Sequence, residues 1–248
     1  MAGNAYFKFK QFTVYQEDVS MRVNTDGVLL GAWCRMPENN GAKILDIGTG
    51  TGVIALMAAQ RMSANFSDFE VGAVEPDSPS CIQAVQNFKA SPWRRNLKIF
   101  MTDFQQFVPL CQDGYGLIVS NPPYFVDSLK NPSISKRLSR HTDNLPYEDI
   151  IAGAKKILAA RGRLSVILPY EESKLFISIA EENGFSKARI CRVFAKEGDE
   201  LPKRMMLELL LGDNKKAEAI FEDLCIMDSN LEFTSAYKAL TGDFYLKF

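Results

Sequence analysis

The chain has one histidine, His141, and no Cys-x-x-Cys or Cys/His cluster among its five scattered cysteines. That pattern supports neither a zinc site nor a disulfide framework. Cys34, Cys81, Cys111, Cys191 and Cys225 are odd in number, and reduced thiols in a cytosolic protein are the simplest account. No apolar run approaches the about 20 residues of a membrane helix, and residues 1–10 hold no apolar signal core, so a cytoplasmic location is expected. Net charge is only -1, which leaves no global field to draw nucleic acid; any such contact needs a local patch. The glycines do not follow the Gly-x-Gly-x-x-Gly spacing of dinucleotide sites. No Gly-Lys-Ser/Thr follows them, which leaves a phosphate-cradling loop unsupported.

What is present is an ordinary globular composition, 46% hydrophobic and 24% charged over 248 residues, enough for one large domain. Asn121-Pro122-Pro123-Tyr124 follows Gly116-Leu117-Ile118-Val119-Ser120, a short apolar run that reads as a buried strand ending in a turn. Two prolines stop both ladder and helix and stiffen the exit from the strand. An amide, restrained carbonyls and an aromatic ring are thereby held at a strand end. They can accept both hydrogens of a planar amino group and stack on its ring. An exocyclic amine has a delocalised lone pair, and two acceptors on its hydrogens favour a tetrahedral nitrogen able to attack an electrophile. Taken alone, the tetrapeptide also fits an ordinary proline-rich turn.

Upstream, residues 42–56 read as strand, glycine-rich turn and helix, with Asp46-Ile47-Gly48-Thr49-Gly50-Thr51-Gly52 at the turn. Such glycines let the chain bend tightly and let a ligand approach the backbone. Asp46 would repel a pyrophosphate and suits a ligand carrying an amino group. Glu75 ends a second strand, where a carboxylate can bind both hydroxyls of a ribose. Asp103 and Phe104 follow a third, placed to accept from an adenine amino group and to flank its ring. Each has a plain structural reading as turn or strand-end residue; their order along successive strand ends is far more specific than any one of them.

The segments alternate. Strands are expected at Lys43 to Asp46, Glu70 to Val74, Leu97 to Phe100, Leu117 to Ser120, Arg163 to Leu168, Lys187 to Val193 and Met205 to Leu211. Helices fall at Val53 to Arg61, Pro79 to Lys89, Tyr147 to Leu158 and Ser173 to Asn183, with a short one at Asp26 to Trp33. This predicts an α/β fold: a mainly parallel seven-stranded sheet, its last strand antiparallel, with helices on both faces. Residues 7–15 alternate Phe with polar residues, as a strand or hairpin does. No linker divides the chain, so residues 1–248 are expected to form one domain. It would comprise an amino-terminal cap (1–40), a Rossmann-like core (41–212) and tail elements (213–248) with one or two short helices and a closing strand at 243–248.

These motifs together resemble the class I S-adenosylmethionine-dependent methyltransferases that act on amino groups. With residues 7–12, Gln16, residues 24–33, Arg140-His141-Thr142 and residues 244–246, the chain resembles still more closely the bacterial valine-tRNA adenine-N6 methyltransferase family. The resemblance spans nearly the whole length. It implies S-adenosyl-L-methionine as cofactor, held by Asp46, Gly48, Thr49, Gly50, Gly52, Glu75, Asp103, Phe104 and Asn121. It implies Asn121, Pro122 and Tyr124 as catalytic residues, and the adenosine beside the anticodon of valine tRNA as substrate. No metal and no obligate protein partner are expected. Pro76 stiffens the turn after Glu75, a departure from the usual context.

Lys136, Arg137, Arg140 and His141 lie in a basic stretch just after the tetrapeptide, and Lys8 and Lys10 sit between phenylalanines. Phosphate contact and plain solvated surface are both open for these cations. Arg94-Arg95 and Lys203-Arg204 read more as surface. His141 equally fits a loop or capping role. Methylation of a protein glutamine amide or of a guanine amino group in ribosomal RNA is an alternative for the same tetrapeptide. A cofactor-keeping RNA-binding protein without catalysis is another.

Overall fold

A computed structural model describes residues 4–17, 19–112, 114–123, 145–212 and 218–247. Ten strands, seven α-helices and one 3-10 helix (Val108–Leu110) are defined there. The amino-terminal hairpin is β1 (Tyr6–Lys8) and β2 (Thr13–Tyr15), and α1 (Thr25–Trp33) follows. The core runs β3 (Ala42–Ile47), α2 (Val53–Ser63), β4 (Phe69–Val74), α3 (Ser78–Ala90), β5 (Leu97–Phe100), α4 (Phe104–Phe107) and β6 (Tyr115–Ser120). It continues as α5 (Tyr147–Ile157), β7 (Leu158–Pro169), α6 (Tyr170–Glu182), β8 (Phe185–Lys196) and β9 (Arg204–Leu211). β10 (Ile220–Met227) and α7 (Ser235–Thr241) complete it.

Eight strands form one sheet in the order β10-β8-β9-β7-β6-β3-β4-β5. β3, β4, β5, β6 and β7 are mutually parallel. β9 inserts antiparallel between β7 and β8, because no helix separates it from β8 to carry the chain back across the sheet. Alternation along the strands feeds two cores. Ile44, Leu117 and Val119 join α1 and α2 on one face; Leu45, Ile118 and Leu164 join α5 and α6 on the other. Strand order reverses direction between β3 and β6, the switch point where open parallel sheets leave a crevice at their carboxyl ends.

Two expectations for the tail are corrected. β10 occupies a tail segment for which only short helices and a closing strand were expected, so the sheet has eight strands rather than seven. Its acids do not face water alone. Asp223 accepts both Nε and Nη2 of Arg192 on β8 at 2.6 and 2.7 Å, and Glu222 pairs with Arg189 at 2.9 Å. Residues 243–247 form no strand. The Phe244 and Tyr245 amides bond back to Thr241, and their rings pack against the aromatic hairpin, Tyr245 lying 5.9 Å from Phe7. Lys10 N donates to the Phe244 carbonyl, so one main-chain bond joins the two segments without a ladder. Among the described residues no helix is long and apolar enough to cross a membrane.

Candidate active site

The turn between β3 and α2 is built on three left-handed residues, Gly48, Gly50 and Gly52, with φ of 67°, 54° and 83°. A Cβ at Gly52 would lie 2.5 Å from the Phe88 ring, whereas one at Gly48 would meet nothing within 4 Å. Gly52 therefore lets α2 pack close to α3, and Gly48 leaves open space above the backbone. Gly48 N and Thr49 N both donate to the Val74 carbonyl, which ties the turn to the end of β4.

Asp46 lies under this turn, fully buried. Its Oδ2 accepts from Thr49 Oγ1 at 2.6 Å and from Ala55 N at 3.2 Å, and its Oδ1 has no hydrogen-bond partner. The Gly52 N-cap has no side chain to offer, so Asp46 satisfies an orphan amide of α2 from the preceding strand. Burial lifts its carboxyl to about 7, against the pull of those two donors. Glu75, at the tip of β4, accepts from Gly50 N at 2.8 Å through Oε2 and from Asp77 N at 3.0 Å through Oε1. Burial raises its pKa too, opposed by these two amides.

Above the turn is a cavity of about 640 Å³. Gly48, Thr49, Gly50, Glu75, Asp103, Phe104, Asn121 and Pro122 all line it. Asp46 and Gly52 do not: they shape the turn from beneath. Ser120 Oγ donates to the Ile47 carbonyl at 3.0 Å, which binds the end of β6 to the end of β3 and sets where Asn121 begins. Phe104 is buried against Gly153 of α5, where a Cβ would come within 2.3 Å of its ring.

Lys8 and Lys10 are exposed on the amino-terminal hairpin and do not line the cavity; Lys10 Nζ donates to the Gly242 carbonyl at 2.6 Å. Arg204 is committed to Asp26 of α1 at 2.8 Å. Tyr124, Lys136, Arg137, Arg140 and His141 lie outside the described residues.

Sequence reasoning missed one wall. Beyond β2, an arm whose described residues are 16–17 and 19–24 crosses α3 and closes the cavity with Ser20, Met21, Arg22 and Asn24. The chain is pinned to α3 at intervals, from the last residue of β2 onward: Tyr15 N to Asn87 Oδ1 (2.9 Å), Glu17 N to Gln83 Oε1 (3.3 Å) and Ser20 N to Ser80 Oγ (3.3 Å). Buried Gln16 folds the arm on itself, its Oε1 accepting from Val23 N at 2.9 Å. Asn24 caps α1 by accepting from Gly27 N at 2.9 Å. That cap had a local signal in the sequence, an Asn at the start of a helical segment, and Gln16 stood among the residues of the family resemblance; Ser20, Met21 and Arg22 had none.

The cavity suits an adenosine joined to a charged tail. It offers open backbone at Gly48, a carboxylate at the end of β4, and an aromatic wall with an acid beside it at the end of β5. The methyltransferase small domain model matches residues 29–174. A curated tRNA1(Val) (adenine(37)-N6)-methyltransferase of Parabacteroides distasonis is 39% identical over 245 residues, 99% of each chain. One of the same name from Bacteroides fragilis strain ATCC 25285 is 40% identical over 98% of each chain. Among solved structures, a predicted O-methyltransferase of Agrobacterium tumefaciens superposes with a TM-score of 0.68 at 18% identity, covering 88% of this chain and 96% of that one. The ribosomal protein L11 methylase of Lactobacillus delbrueckii subsp. bulgaricus gives 0.51 at 16% identity, over 75% and 77%. At these identities the structures speak for the fold alone. The sequence relatives reach further: this chain belongs to the methyltransferase small-domain family, within its tRNA1(Val) (adenine(37)-N6)-methyltransferase group, and S-adenosylmethionine is its cofactor.

Proposed function

We propose that the chain methylates the exocyclic N6 of an adenine in tRNA, at the adenosine 3′ of the anticodon in a valine isoacceptor. The observation that carries this reading is the convergence of Asn121-Pro122 with Glu75, Asp103 and Phe104 on one cavity, in a chain that matches the named relatives end to end.

The cofactor, when bound, supplies an electrophilic methyl on a sulfonium. In this reading Glu75 receives the ribose hydroxyls with lone pairs that its two backbone amides leave free. Those amides also favour its charged form. Asp103 accepts from the adenine amino group, and Phe104 walls the ring. The backbone of Gly48, Thr49 and Gly50 allows close approach, and buried Asp46 keeps that backbone in place. Asn121 Oδ1 and the Pro122 carbonyl accept the two hydrogens of the target amine and point its lone pair at the methyl. Tyr124 stacks on the target base, an interaction worth about 1–3 kcal/mol. Positioning supplies most of the catalysis, because the electrophile is already strong. A methylated ammonium is acidic enough to shed its proton without a dedicated base.

The basic stretch with Lys136, Arg137, Arg140 and His141 supplies phosphate contacts in this account, extended by Lys8 and Lys10. Residues 1–248 act as one catalytic domain, in the cytoplasm where tRNA is found. An anticodon-loop base is partly unpaired, and splaying it into the cavity costs less than in a duplex.

Asn121→Ala separates chemistry from binding. We expect methyl transfer to fall by about 100-fold or more while the affinity for S-adenosylhomocysteine, read by calorimetry, stays within about twofold. Equal loss of both would make Asn121 a structural residue and remove it from the reaction.

A further inference from the structure

We infer that Arg22 is the partner of the cofactor's α-carboxylate, a role that rests on the cofactor placement proposed above. Among the described residues that line the cavity, Arg22 is the sole cation, facing the acids Glu75, Asp77 and Asp103. S-adenosylmethionine carries two positive groups, the sulfonium and the ammonium, and one negative, the carboxylate. The acids serve the positive groups and the hydroxyls. They cannot serve the carboxylate, which needs a cation or free amides.

Position agrees with charge. Glu75 and Asp103 fix the adenosine at the ends of β4 and β5, so the amino-acid tail must extend the other way, across the glycine turn. There the arm crosses: the Met21 carbonyl lies 3.9 Å from where a Cβ on Gly50 would stand. Arg22 is the next residue. Its backbone is held on both sides, by Ser20 N on Ser80 Oγ before it and by Val23 N on Gln16 Oε1 after it. Its guanidinium makes no hydrogen bond or ion pair with any described residue, although Arg189, Arg192 and Arg204 are all engaged. A guanidinium held at its root with its donors uncommitted matches a carboxylate in two-pronged geometry. The tail would also lie near the amino end of α2, whose dipole favours an anion. Gln16, Ser80 and Gln83 then gain a purpose beyond packing: they hold the arm so that Arg22 reaches the tail.

The test compares S-adenosylmethionine with its decarboxylated form, which keeps the sulfonium and the ammonium and lacks only the carboxylate. Binding is measured by calorimetry without tRNA, for the wild type, Arg22→Met and Arg22→Lys. Arg22 is exposed, so the pair stays partly hydrated and the effect is moderate. We expect Arg22→Met to weaken S-adenosylmethionine binding about tenfold and leave the decarboxylated compound within about twofold, with Arg22→Lys recovering most of the loss. Equal weakening of both compounds would assign Arg22 to arm packing and overturn the inference. Unchanged affinity for both, with weaker tRNA binding and a shallower salt dependence, would place it on an RNA phosphate and overturn it too. A wild type that binds neither compound would overturn the cofactor placement itself.

Discussion

Asp46 shows how a residue can serve a site from outside it. Its position before the glycines suggested contact with a charged ligand. The structure instead spends its Oδ2 on Thr49 and Ala55 and buries Oδ1 without a partner. The cost is a carboxyl raised from 3.8 to about 7. An acid that holds its proton more tightly folded than unfolded favours folding most where it is protonated. Its contribution is full below about 3.8, declines as pH rises and levels off above about 7. Glu75 is shifted the same way, so the wild type alone does not isolate Asp46. Asp46→Asn keeps both accepted bonds and removes the titration. We expect the fall in melting temperature between pH 4.5 and about 7.5 to be smaller in Asp46→Asn than in the wild type. Equal slopes in calorimetric scans of the two proteins would contradict the buried-acid account. Asp46→Ala, which loses both bonds along with the titration, is expected to cost about 1–2 kcal/mol near pH 4.5, and less as pH rises and the wild-type acid ionises. At this scale the glycine residues were legible, because three positive-φ positions at alternate residues admit little else. Arg22 was not legible: an exposed arginine in an irregular arm carries no periodicity, and only the fold brings it to the wall of the same cavity as Gly50.

At the scale of elements, alternation of strand and helix was readable because parallel strands buried on both faces are short apolar runs separated by helical periods. β10 escaped because Glu222 and Asp223 break its apolar pattern. Their arginine partners stand about 30 residues earlier in the chain, beyond any local window. Residues 243–247 gave the opposite error: aromatic spacing typical of a strand is used there to fill the hairpin's core. The junction of α4 and α5 yields a test. Gly153 gives the Phe104 ring its place, and an added Cβ would stand 2.3 Å from it. Gly153→Ala should push the ring toward the cavity. We expect a loss of about 1–3 kcal/mol in stability from overpacking, together with at least a fewfold weaker affinity for S-adenosylhomocysteine. Lower stability with unchanged affinity would mean that Phe104 does not wall the adenine.

Over the whole molecule, one sheet edge gathers what the sequence spreads from residue 20 to residue 145. β3 supplies the glycine turn, β4 the carboxylate that the proposal assigns to the ribose, β5 an acid and an aromatic wall, and β6 an amide and a proline carbonyl, with the arm closing the top. That gathering follows from parallel strands, whose carboxyl ends must share one edge, and so it was readable once the strands were. The basic stretch beside the tetrapeptide calls for its own test, since the net charge of -1 offers no general attraction to RNA. Neutralising Lys136, Arg137 and Arg140 together should weaken tRNA binding and lower the salt slope by about 2–3. An unchanged slope would take that stretch out of the RNA interface.

The most direct test incubates the purified protein with radiolabelled S-adenosylmethionine and total tRNA from cells lacking the enzyme, then digests the RNA and identifies the labelled nucleoside. The account predicts N6-methyladenosine, confined to valine tRNA at the position 3′ of the anticodon. Label in a guanosine of ribosomal RNA or in a protein glutamine, with tRNA unlabelled, would contradict it.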